Sequence, residues 1–318
     1  MTSGIDTIDS EGMGSESSER FSEAAIADAQ ALAASDASQT RWTKPFIRAI
    51  RRKRLRLPSL SPTVDRIIKL IESADVDLDE LALAVNGDPV LATRIMGVAN
   101  STYFRGPTDV PNVREALMRM GVREARTIVV VVALRSTVLR SPGLGDQARE
   151  LWKHSLLAAC ATQEITTEVP PFETSGFLAG LLHDLGKLVV LAFVSELPAW
   201  QEDGAVPSRA SIDAINSAMH ASLGAMVLAS WGFPEPFCDA IIDYQNSEQV
   251  SGESAGLCAA VELGHRMAER IEEGWPDEPE ELDEALLAVA ARLGLDHARL
   301  FDIASEAEAN VEALSKLS

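Results

Sequence analysis

The chain has 318 residues, 46% hydrophobic and 24% charged, enough apolar material to bury the cores of about two domains. A formal net charge of −20 argues against nonspecific nucleic-acid binding as the main activity, because neutralising phosphates requires a broad basic face. Cys160, Cys238 and Cys258 are an odd number, far apart and without CxxC spacing, so they read as buried free thiols in a reducing cytosol.

Residues 1–41 form an acidic N-terminal region, with eight acids against Arg20 alone up to residue 40. Low hydrophobicity without a sustained period predicts disorder there, with a transient helix around residues 22–34. Residues 42–56 follow as a basic lead-in helix; Arg41–Arg56 carries eight Lys/Arg and no acid. Such a run reads as a solvated helix face or a partner for an acidic tail, and nucleic acid is the weaker expectation. No secretory pattern opens the sequence, and the apolar run Ile128–Leu134 is too short to cross a bilayer. A cytoplasmic protein without a membrane span is expected.

From residue 53 onward, helix signals recur. Ser61 precedes Pro62 as an N-cap before a proline at the first helical position. Asp77 precedes the next apolar face, and Gly87 ends it. Asp88 caps a further helix with Pro89 at its first position, which explains both residues structurally. Asn100 and Ser101 close that helix and are placed to bond a loop. The β-branched run Ile128–Val132 favours a strand in isolation. With no partner strand elsewhere, a buried helix is the better assignment. The predicted fold is all-α, in two consecutive helical bundles: residues 53–140, then residues 141–250, followed by a helical extension over residues 251–318.

The second bundle carries the chemistry. His154, the pair His183–Asp184, His220 and His265 are polar outliers on four apolar helices. Imidazoles and a carboxylate on facing helices are how bundles build divalent-metal sites. Adjacent residues do not share an ordinary helical face, so His183 and Asp184 must point along a crest towards one centre.

The segment "HDLGK" at His183–Lys187, preceded by His154, resembles the HD-domain phosphohydrolase superfamily. The first half narrows the resemblance to the HDOD domain: Leu57–Pro58, Asp88–Leu91, Ala99–Ser101 and Ala116–Gly121 match its recurring motifs, and the likeness spans roughly residues 53–250. It implies an HDOD fold whose second half is HD-like, and a bacterial regulatory module that acts on a signalling protein or a small nucleotide without catalysis and with no cofactor, the HD pair being a retained scaffold. The superfamily's metal ligands map onto His154, His183 and Asp184, and its phosphate-approaching lysine onto Lys187. The final ligand, an aspartate in the superfamily, is replaced by His265. His220 corresponds to an extra histidine of the HD-GYP phosphodiesterases, but their paired-histidine position reads Asp243–Asn246 here, and no Gly-Tyr-Pro motif follows. The resemblance leaves one alternative: a phosphohydrolase using a single Fe, Mn or Zn ion, with Asp184 and Lys187 in the catalytic roles.

Overall fold

A computed structural model describes residues 16–55, 57, 60–72, 77–100, 108–121, 125, 128–129, 131–132, 145–170, 172, 175–196, 206–278 and 281–317. Among these residues the chain is all-α, with no strand. The expected caps set the boundaries of the first half. In α3 (Pro62–Glu72) the Val64 amide donates to Ser61 Oγ at 3.3 Å. In α4 (Leu78–Asn86) Asp77 accepts from the Asp79 amide. In α5 (Pro89–Ala99) Asp88 accepts from the amides of Val90 and Leu91. Each cap satisfies donors that a helix start otherwise leaves orphaned. Asn100 Oδ1 accepts from the Val110 amide at 2.9 Å, fixing the loop entry to α6 (Val113–Met120). Ser101 lies outside the described residues. Ile128, Val129, Val131 and Val132 are helical and buried, as the absence of a partner strand requires.

The expectation of disorder over residues 1–41 is corrected from Glu16 onward. Glu16–Ser35 form α1, which packs along α10 (Arg209–Ser230) and against α2 (Thr40–Arg51). Phe21, Ala25 and Ala29 are fully buried. Four-residue spacing puts these three on one face, and a face that narrow is invisible to composition. Arg20 reinforces the contact by pairing with Glu235 and Asp239. The basic helix also begins earlier and ends earlier than expected, at Arg51 rather than residue 56. Its opposite face is buried, and Phe46 stacks on Phe193 with ring centroids 3.8 Å apart.

The second half is organised around α7 (Gly145–Thr166), which packs against α8 (Gly176–Leu182), α12 (Ala255–Glu273) and α14 (His297–Leu317). α9 (Leu185–Glu196) packs on α10, and α11 (Glu235–Asp243) bridges α10 and α12. A boundary at residue 250 therefore does not separate packing units. α12 belongs to the same bundle, and Arg292 at the end of α13 (Glu284–Arg292) reaches back to Ser247 and the buried Glu262. One continuous core joins both halves. The segment Gly176–Ser195 is long and apolar enough to cross a membrane by length and composition, and 83% of that window is buried inside the protein.

Candidate metal centre

The His183–Asp184 pair sits where α8 ends and α9 begins. The helix breaks there into a turn, and the Lys187 amide closes onto the Asp184 carbonyl three residues back at 2.9 Å. That break, rather than a shared helix crest, lets two adjacent side chains face one centre. α7 brings His154 and α12 brings His265 to the same place. One donor atom from each of His154, His183, Asp184 and His265 lies within 4.8 Å of the others. His183 and Asp184 are buried, and the other two are nearly so.

The hydrogen-bond partners assign the ring nitrogens. His183 Nδ1 donates to the Gly180 carbonyl at 2.7 Å and turns Nε2 towards the centre. His154 Nδ1 faces Glu272 at 3.0 Å and likewise turns its Nε2 inward. His265 turns its Nε2 towards Glu269 at 3.5 Å and presents Nδ1 to the centre, 3.0 Å from His154 Nε2 and 3.1 Å from His183 Nε2. Burial, then the adjacent His183, drives the His265 pKa well below the ordinary imidazole value, so this ring is neutral. Three ring nitrogens turned on one another at this distance need a proton or a cation shared among them. Carboxylates on the outer nitrogens are the usual way a protein orients histidines towards a metal.

Asp184 completes the set, its Oδ2 lying 3.3 Å from His183 Nε2 and 3.6 Å from His154 Nε2. Ligands about 2.0–2.2 Å from a zinc-sized ion stand about 3.0–3.5 Å from one another; four of the six donor pairs here lie 3.0–3.6 Å apart and all lie within 4.8 Å. Burial alone pushes the Asp184 carboxyl up; His183 beside it, with Lys187 and His220, outweighs burial and holds it well below the usual carboxylate range. Lys187 Nζ donates to Asp184 Oδ2 at 2.6 Å.

His220 does not join the four. Its Nδ1 is held by the Asn216 carbonyl at 2.6 Å and its Nε2 by the Tyr244 hydroxyl at 2.8 Å, with Asp184 Oδ1 3.6 Å away. Burial lowers the His220 pKa, and the ring is a neutral neighbour of the cluster. Sequence reasoning missed Tyr244, which is fully buried between His183, His220 and His265. It also missed Glu269 and Glu272. Their spacing of four and seven residues from His265 places all three on one helix face, a signal present in the sequence.

The cluster opens on a cleft of about 510 Å³ whose walls include His154, Asp184, Lys187 and Arg209.

A model of the HDOD domain matches residues 57–247. The chain belongs to the HDOD family. The HDOD match covers His154, His183, Asp184, Lys187 and Tyr244 but stops short of α12, so His265 and its carboxylates come from outside it. A relative in Treponema pallidum (strain Nichols), an uncharacterized protein, is 25% identical over 212 residues, 64% of this chain and 40% of that protein. This HDOD chain thus spans 40% of that relative's length. A protein of Shewanella amazonensis SB2B, provisionally described as a phosphohydrolase, shares the fold with a TM-score of 0.61 at 18% identity, covering 82% of this chain and 94% of that one. One from Marinobacter aquaeolei VT8, provisionally described as a signal transduction protein, has a TM-score of 0.61 at 22% identity over 82% of this chain and 60% of its own. Both likenesses speak to the HDOD fold alone.

Proposed function

We propose that this HDOD protein is a signalling module of the bacterial cytoplasm. In this reading it holds one divalent Fe, Mn or Zn ion on His154, His183, Asp184 and His265. It recognises a small anionic ligand, of which a nucleotide is one kind, in the adjoining cleft, and it passes the signal to a protein partner rather than turning the ligand over. The observation that carries the reading is the convergence of three imidazole nitrogens and one buried carboxylate. A bound ion supplies Lewis acidity towards a phosphoryl or carboxylate oxygen and acidifies a bound water.

The chain's own residues favour binding over turnover. Glu272 and Glu269 face the outer nitrogens of His154 and His265, which commits them to orienting ligands. Lys187 is bound to Asp184 and balances its charge. HDOD membership supports the regulatory role. Elemental analysis of the purified protein tests the metal. About one ion per chain, lost in His183→Ala/Asp184→Ala, is expected; no metal in the wild type overturns it.

A second reading is metal-dependent phosphohydrolysis, favoured because the cleft reaches His154, Asp184 and Lys187 directly. Hydrolysis of nucleotides or phosphodiesters by the metal-loaded protein, abolished in Asp184→Ala, would replace the first reading with this one.

A further inference from the structure

The walls of the cleft beside the cluster carry an unusual balance of charge. Glu150, Asp213, Glu269, Glu272 and Asp184 bring five formal negative charges, against Lys187 and Arg209. A divalent ion on the cluster still leaves the walls net negative. Neither cation is free to neutralise an incoming anion fully, since Lys187 is bound to Asp184 at 2.6 Å and Arg209 lies 3.7 Å from Asp213. The charges are also sorted by depth. The metal ligands are buried, whereas Asp213 and Glu269 are more than half exposed at the rim. An all-anionic ligand, a polyphosphate above all, is attracted at the deep end and repelled along the rest of its length.

A second feature points the same way. Asn216 lines the cleft, and its side-chain oxygen is buried with no hydrogen-bond partner. An unpaired buried acceptor is costly.

We infer that the ligand of this cleft is bipolar: an anionic group that meets the metal at the deep end, and an amine that meets the acidic rim and Asn216. This rests on the proposed metal site, and it narrows the ligand from anions in general to amine-bearing phosphates or carboxylates of a size that a cavity of about 510 Å³ encloses.

The test is calorimetric titration of the metal-loaded full-length protein, at low ionic strength, with 3-aminopropyl phosphate and with propyl phosphate. The aminated compound is expected to bind about three- to fivefold more tightly, the range that half-exposed ion pairs supply. In Glu150→Gln/Asp213→Asn the preference is expected to shrink, with propyl phosphate binding more tightly because repulsion is reduced. Equal affinities in the wild type overturn the bipolar ligand and leave the anion-at-metal reading standing. Binding of neither compound overturns both.

Discussion

The Tyr244 hydroxyl lies 2.8 Å from His220 Nε2 and 3.5 Å from Asp184 Oδ1, so one phenol joins buried polar groups from two other elements. His220 Nδ1 already carries a proton towards the Asn216 carbonyl, which leaves Nε2 to accept from the phenol. Burial and the adjacent Asp184 charge raise the Tyr244 pKa well above its usual value, so the proton stays in place. The short 3-10 segment that carries Tyr244 is itself held, because Arg292 donates to Ser247 Oγ at 2.6 Å and both contact Glu262. Tyr244→Phe keeps the ring and orphans His220 Nε2. A loss of about 1–3 kcal/mol is expected, read from the urea midpoint; an unchanged midpoint would show that the phenol bonds nothing that matters to folding.

Metal should stabilise the fold as well as fill the cluster. An ion that binds only the native state, at a free concentration about a thousandfold above its Kd, adds about 4 kcal/mol. For a chain of this size that corresponds to a rise in Tm of roughly 8–15 °C. Chelation is expected to lower Tm by that amount in the wild type and to leave Asp184→Asn unmoved, since that variant keeps the shape and loses the charge. Equal shifts in both proteins would place the ion elsewhere.

α1 is a folded part of the molecule, and Phe21 tests this. Its side chain is fully buried against the bundle, whereas Arg20 beside it is half-exposed. Phe21→Ala is expected to cost about 3–5 kcal/mol, and Arg20→Ala no more than about 1 kcal/mol. Chemical denaturation of the two variants side by side gives the comparison; a silent Phe21→Ala would return α1 to a loose tail.

The contrast between α1 and α5 explains how far the sequence could be read. α5 announces itself with Asp88, Pro89 and an apolar period, all local signals. α1 has alanines at its interface, and their burial depends on α10, nearly two hundred residues later. The metal ligands were legible because a histidine on an apolar helix is conspicuous. Their geometry was not, because the break at His183–Asp184 is a turn inside a run that reads as one continuous helix. Tyr244 escaped notice for a similar reason: an aromatic residue near a helix end is ordinary until the structure shows what its hydroxyl touches. His265 counts with the second bundle on its residue type, although it lies past residue 250; the packing of α12 on α7 is what carries it there.

Two glycines in helices should respond oppositely to the same substitution. A Cβ on Gly186 would collide with the backbone of α10, at the His220 carbonyl and the Gly224 amide, whereas one on Gly97 would meet nothing within 4 Å. Gly186 is what lets α9 and α10 approach so closely that Asp184 and His220 become neighbours. Gly186→Ala is expected to cost about 3 kcal/mol, the upper end of what overpacking costs. Gly97→Ala, on the exposed face of α5, is expected to add about 1 kcal/mol. Thermal denaturation of both variants checks the pair, and a tolerated Gly186→Ala would mean that the helices cross less tightly than described.

The buried thiols give stability a pH dependence of known sign. Burial, then Asp243 and Glu262, push the Cys258 thiol up to about 12 from 9.0, and burial raises Cys160 as well. Above about pH 9 the unfolded chain releases these protons while the folded one keeps them, so the unfolded state binds fewer protons and stability falls as pH rises. The stabilising contribution is complete below pH 9 and is lost progressively towards pH 12 for Cys258. Each thiol contributes a slope of up to about 1.4 kcal/mol per pH unit. Urea denaturation at pH 8 and pH 10 is expected to show a smaller fall for Cys160→Ala/Cys258→Ala than for the wild type, the difference isolating the thiols from every other titrating group. Identical falls in the two proteins would mean that the native thiols ionise as freely as unfolded ones, and rapid alkylation of the native wild type by iodoacetamide at pH 8 would say the same.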